Sequence, residues 1–331
     1  GENMFKKWIV FLLLSLLLFP ISTYAKEDLY LGGDSIGIVV NYDGVLVSGT
    51  YQIEKDGKFY NPSNQDILKG DMIVKVENND VHSLEDLYAS LNNYQKDINE
   101  IDVTLVRGTQ SIHKSLISIY DKKNETFQCG LYVKDSIAGV GTMTYYNPSN
   151  MEYGALGHEI QDVDLKEKAK IDYGTIYEAS VHDIVKSQNG VIGEKHANIN
   201  YNEVIGNVKE NKDIGIYGNY QKLPNKITSL PWTKQDKVHL GDAQIYTVLS
   251  NQDIKAYKIK ITKLNIQNES EIKGIEYEVI DPELLKKSGG IIQGMSGSPI
   301  VQDEHIIGAV SHVITSNAIK GYGVYIEWMM K

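Results

Sequence analysis

The chain has 331 residues, enough for two domains and a targeting segment, and its 42% hydrophobic and 23% charged content is that of a folded protein with a sizeable core. A formal net charge of −10, with no basic stripe, argues against nucleic acid as a partner, since phosphate binding relies on an excess of Lys and Arg. A single cysteine, Cys129, excludes an intrachain disulfide and reads as a small apolar filler, while 22 tyrosines against 7 prolines favour β structure.

The first 27 residues read as an address rather than as fold. Lys6 and Lys7 precede the apolar run 8–19, then Pro20 and the small-residue site Thr23-Tyr24-Ala25, the pattern of a bacterial export signal. The run is short for a spanning helix, which needs ~17–25 residues, although extending it to Ile21 allows an uncleaved anchor. Residues 1–27 are therefore expected to be an export signal or membrane anchor, placing the remainder outside the cytoplasm, secreted or membrane-associated.

Residues 28–120 are expected to form a small domain. Gly32-Gly33-Asp34-Ser35-Ile36-Gly37-Ile38 is a glycine loop entering an apolar strand. Leu68-Lys69-Gly70-Asp71-Met72-Ile73 opens another, and a helix follows at 84–91, with Ser83 as N-cap, Glu85 and Asp86 in the first turn, and Leu84, Leu87 and Leu91 on one face. These segments resemble a PDZ domain. The resemblance implies that Ser35, Ile36, Gly37 and Ile38 form a loop whose N–H groups hold the terminal carboxylate of a peptide ligand added to a sheet edge.

Residues 121–331 read as short β runs, at 139–146, 214–218, 245–249 and 256–261, separated by Gly, Asn and Asp, which points to a barrel or sandwich. Within Gly154-Ala155-Leu156-Gly157-His158-Glu159, a glycine sets His158 at a strand end, where a neutral imidazole suits a general base. His158-Glu159 begins like H-E-x-x-H, but Asp162 stands where the second histidine belongs; neither a metal nor a cofactor is expected. The other histidines, His312 included, read as structural.

Asp281 precedes Pro282 and Glu283, with Gly289-Gly290 closing the segment, which is the sequence of a capped helix. Gly294-Met295-Ser296-Gly297-Ser298-Pro299 then places a serine between glycines on a tight turn, followed by a hairpin with its turn at Asp303-Glu304. Such a loop aims a nucleophile and turns N–H groups toward a developing oxyanion. Ser298, followed by proline, is the weaker nucleophile candidate.

Gly157-His158-Glu159-Ile160 together with 290–300, 134–142, 280–285 and 321–329 resemble the stage IV sporulation protein B family, PDZ-containing serine peptidases of endospore-forming bacteria. The resemblance implies a mainly β protein: the export segment, the PDZ domain, then a chymotrypsin-like double β-barrel peptidase domain at 121–331. Ser296 would be nucleophile, His158 base, and the N–H groups of Gly294 and Ser296 the oxyanion hole. For the triad acid the resemblance favours Asp281, the helix cap explains that residue without catalysis, and Asp162 and Asp164 stand as alternatives. The implied role is a signalling endopeptidase between the forespore and mother-cell membranes. It would process itself and cleave a membrane-bound regulator, triggering activation of a late mother-cell sigma factor. The competing reading is a non-catalytic exported PDZ/β-barrel scaffold of an envelope complex.

Overall fold

The computed structural model describes residues 28–92, 96–188 and 190–330. The expected export segment lies outside the described residues, and among these no helix is long and apolar enough to cross a membrane. The protein is mainly β.

Strand β1 (Asp28–Leu31) and the 16-residue β2 (Ser35–Thr50) open the chain. The far half of β2 enters a small lobe with β3 (Met72–Val76), helix α1 (Leu84–Leu91), β4 (Ile98–Arg107) and β5 (Gln110–Asp121). Its own core is built from Val45, Val47, Ile73, Leu87, Ile101, Leu105, Leu116 and Cys129, among others. Alternation explains the strands: along β4 the residues Asn99, Ile101, Val103 and Leu105 are buried while Glu100 and Asp102 face solvent. Ser83 caps α1 by accepting from the Asp86 N–H, as its sequence predicts.

The chain leaves the lobe through β6 (Leu131–Asn147), which runs antiparallel to β2 along almost its whole length. Asn41 faces Ser136, so entry and exit lie side by side. This revises the organisation expected from sequence. Ser35–Asn41 does not belong to the lobe: it pairs with β6 on one edge and with β8 (Tyr173–Val185) on the other. Ser35, Ile36, Gly37 and Ile38, expected as a carboxylate-binding loop, are buried in this strand with neither edge free for a peptide. The reason is register. Alternate Ile36, Ile38 and Val40 supply an apolar face to the larger body, which outcompetes a solvated loop.

Around that face curl β2, β6, β7 (Glu152–Ala155), β8, β9 (Glu194–Val208) and β10 (Gly215–Asn219). The β9–β10 seam is thin, made by the Gly206–Tyr220 bridge and the Lys209 N–H donating to Tyr217 O. Second comes a closed six-stranded barrel of β11 (Gly241–Val248), β12 (Ile254–Leu264), β13 (Ile275–Val279), β14 (Pro299–Gln302), β15 (His305–Val313) and β16 (Lys320–Tyr325), in the order β11-β12-β13-β16-β15-β14. Helix α2 (Pro282–Ser288) follows β13, and α3 (Ile326–Met329) follows β16. Fully buried Ile245, Ile259, Ile275, Tyr277, Ile300 and Val310 fill the barrel. The segment 291–298 joins α2 to β14 and lies against β6, so the serine loop sits where the two halves meet.

Candidate active site

Four contacts shape the serine loop. The Thr142 hydroxyl donates to Gly294 O at 2.7 Å, and the Thr142 N–H donates to Ser296 O at 3.0 Å. Thr144 Oγ1 donates to Gly297 O at 2.8 Å, and the Gly297 N–H to Val310 O at 2.7 Å. Met295, fully buried, anchors the turn in the barrel core, which leaves Ser296 at its crest. Gly297 is required on two counts. Its φ of 92° is left-handed, and a Cβ there would lie 2.1 Å from Thr142 O. With the carbonyls of Gly294, Ser296 and Gly297 held by β6, the N–H groups of Gly294 and Ser296 have no acceptor among the described residues. Two such donors flanking the serine are what an oxyanion requires.

His158 arrives from β7 through a tight bend. Leu156 and Gly157 both have φ of 70°, and the Gly157 N–H donates to Ala155 O at 2.9 Å, a γ-turn of the rare positive-φ kind. Gly157 presses on Val310 so closely that a Cβ would lie 2.9 Å from its carbonyl, the same carbonyl that receives the Gly297 N–H. The residue before His158 and the residue after Ser296 thus meet on one backbone group of β15. The structure brings these two loops together although far apart in sequence.

Next to Val310, Ser311 O accepts from Ser296 Oγ at 3.3 Å, and the following His312 places its ring 5.2 Å from that of His158. His158 Nδ1 lies 2.7 Å from Glu159 O. A carbonyl only accepts, so Nδ1 carries the proton and Nε2 keeps its lone pair. Burial holds His158 below the ordinary imidazole value, the Glu159 carbonyl partly opposing it. His312 is pushed down further, to about 4, by burial and by the neighbouring His158 and Lys273; its Nδ1 is buried with no partner.

None of the three carboxylates expected from the sequence is bonded to this pair. Asp281 Oδ1 accepts the N–H groups of Glu283 and Leu284 at the start of α2, and Oδ2 accepts that of Lys258 on β12, so both oxygens are engaged by backbone. His312 faces Tyr322, which faces Glu276 on β13, and Asp281 lies five residues beyond Glu276, about 16 Å at ~3.3 Å per residue. Of the two readings of Asp281, the helix cap is the one its contacts fit. Asp162 accepts from the Tyr42 hydroxyl, Lys134 and the N–H groups of Asp164 and Leu165, while Asp164 pairs with Lys134. Neither touches His158. Ser298 is fully buried with an unpartnered hydroxyl, unlike Ser296.

Two residues near the site escaped the sequence reading. His312 reads as packing in the sequence, where spacing gives no hint that β15 passes beside the His158 turn. Lys195, in an ordinary polar stretch of β9, is buried against Gly294 with its Nζ 2.8 Å from Thr247 Oγ1.

A family model described as SpoIVB peptidase S55 matches residues 125–330. The chain belongs to that family. Comparison with curated proteins returns no match. As an S55 peptidase relative it is of a sporulation peptidase family, serine in type, and the matched region takes in the closed barrel, the loops of His158 and Ser296 and the whole of α2. It also includes β6, the strand that leaves the small lobe, while β1 and β2 lie before the match although they pair with β6 and β8 inside it.

Proposed function

We propose that this S55 family member is an exported serine endopeptidase that cleaves by acylation and deacylation. Ser296 attacks the scissile carbonyl carbon while His158 Nε2 takes its proton. The carbonyl oxygen becomes an oxyanion received by the Gly294 and Ser296 N–H groups. The imidazolium then gives its proton to the leaving amine, and water repeats the sequence on the acyl-enzyme. Glu159 O, bonded to Nδ1–H, does the orienting that a carboxylate performs in the familiar triad. Depression of the His158 pKa keeps it neutral, and so basic, at pH 7.

The observation that carries this reading is the convergence of the Gly157 and Gly297 backbones on Val310 O, which sets His158 beside the serine loop. The small lobe is read as a regulatory, PDZ-like module. Its ligand does not enter at Ser35–Ile38, because both edges of that segment are paired. By family likeness, the substrates are the protein itself and a membrane-bound regulator whose cleavage triggers late mother-cell sigma-factor activation, in the space between the two spore membranes.

Expression of the full chain is expected to give self-cleavage and labelling by a fluorophosphonate probe, both abolished by Ser296→Ala. Labelling that persists in Ser296→Ala removes Ser296 as nucleophile. A wild-type chain that neither labels nor cuts favours the scaffold reading.

A further inference from the structure

We propose that Lys195 is a positioning residue for the serine loop, its ammonium holding the Thr142 hydroxyl in the orientation that fixes the peptide plane between the two oxyanion donors; this rests on the serine peptidase reading above. Lys195 is 6% exposed, yet no carboxylate pairs with it among the described residues. Its contacts are hydroxyls: Thr247 Oγ1 at 2.8 Å, with Ser35 Oγ and Thr142 Oγ1 at 3.4 Å each. They come from β2, β6 and β11, so the amine sits between the two halves of the molecule. Three acceptors match the three donors of an ammonium.

An uncompensated buried amine costs stability, and an apolar side chain would fill the same space without that cost. The location says what the cost is spent on. The Lys195 N–H donates to Gln293 O at 3.0 Å, and its stem covers Gly294 so tightly that a Cβ there would lie 3.1–3.2 Å from Lys195 Cβ, Cγ and Cδ. Thr142, which receives the ammonium, sends its own hydroxyl proton to Gly294 O. That carbonyl belongs to the peptide plane lying between the planes that carry the Gly294 and Ser296 N–H groups. If the plane turns over, both donors lose their aim. A protonated Lys195 leaves Thr142 no better use for its proton than Gly294 O. A neutral amine offers a lone pair that competes for it.

Burial pushes Lys195 down to about 7, so its charge changes near neutral pH. Burial is the cause of that shift, with no Coulombic partner beside it. Asp34, beside Ser35, is bonded by the Tyr146 hydroxyl of β6 and raised by burial to about 6. Tyr246 on β11 is raised by burial. On β9 itself Glu194 and His196 pair with each other at the surface. The serine loop contributes no titratable group.

The test is the pH profile of fluorophosphonate labelling in the full chain, resolved into maximal rate and half-saturating probe concentration. The wild type is expected to lose rate as pH rises through the Lys195 titration. Lys195→Met is expected to lower the maximal rate by 10-fold or more at pH 6.5, to leave half-saturation unchanged, and to lack the falling limb. It is also expected to melt at a higher temperature than the wild type, because it removes a buried unpaired charge; a merely structural lysine would lower the melting point when replaced. Should Lys195→Met fail to fold, Thr247→Val serves instead, removing the nearest acceptor and moving the falling limb to lower pH. A Lys195→Met chain that labels at the wild-type rate with the limb intact overturns the proposal while leaving the serine reading in place. Labelling of Ser296→Ala overturns both.

Discussion

His158 and His312 share one wall of the site, their ring centres 5.2 Å apart, and a space that small tolerates one positive charge at most. His312 is the one kept neutral. Unfolded, it takes up a proton near 6.5, and folded only near 4, so between those values the unfolded chain binds more protons. Stability therefore rises with pH across that window and is lost as pH falls through it. His312→Phe keeps a ring in place and removes the titration. Acid unfolding followed by near-UV circular dichroism is expected to move to lower pH in this variant. Asp34 works in the opposite sense: its carboxyl is raised by burial to about 6, so stability falls as pH climbs from about 4 to 6.

Among the elements, α2 is where one residue carries two expectations. Asp281 supplies three hydrogen bonds to backbone N–H groups, and an asparagine oxygen can replace those at the helix start. Asp281→Asn is thus expected to stay folded and to keep labelling by a fluorophosphonate probe within a few-fold. Asp281→Ala is expected to lose about 1 kcal/mol in denaturant titration. Loss of labelling by a fully folded Asp281→Asn chain would return the residue to the catalytic machinery. Local signals of this kind were legible. Ser83 and Asp281 announce their helices, and the run from Gly294 through the Asp303-Glu304 turn reads as a loop and hairpin, as it proves to be. Short-range chemistry writes such features into a few adjacent residues. The fate of Ser35–Ile38 was not legible, because it depends on strands β6 and β8, which lie 100 or more positions onward. Lys195 and His312 were missed for the same reason. A lysine among polar residues looks solvated until the fold closes over it.

At the scale of the whole molecule, the small lobe hangs from the continuous strands β2 and β6 rather than from a flexible linker. Asp162 ties the neck together. Its carboxylate is 1% exposed and receives the Tyr42 hydroxyl from β2, Lys134 from β6 at 3.0 Å, and two N–H groups of its own turn. Burial alone would raise its pKa; the Tyr42 hydroxyl, the Leu165 N–H and Lys134 outweigh that and hold it below the ordinary carboxylate value. Because His158 lies on the same stretch of chain, only four residues before Asp162, the neck and the candidate base share a mounting. Removing the carboxylate leaves the buried Tyr42 hydroxyl without its acceptor, while Lys134 keeps Asp164. Asp162→Ala is expected to cost about 2 kcal/mol in denaturant titration and to slow labelling of Ser296 as the His158 segment loosens.

The neighbouring positions of Asn41 and Ser136 bear on ancestry and engineering alike. The larger body and the closed barrel build their sheets with residues outside the neck, and the excursion begins and ends at one paired point of two neighbouring strands. A part attached in that manner is one that a lone insertion event can graft onto an older β-rich hydrolase. A designer could take it off again with a short turn across the gap.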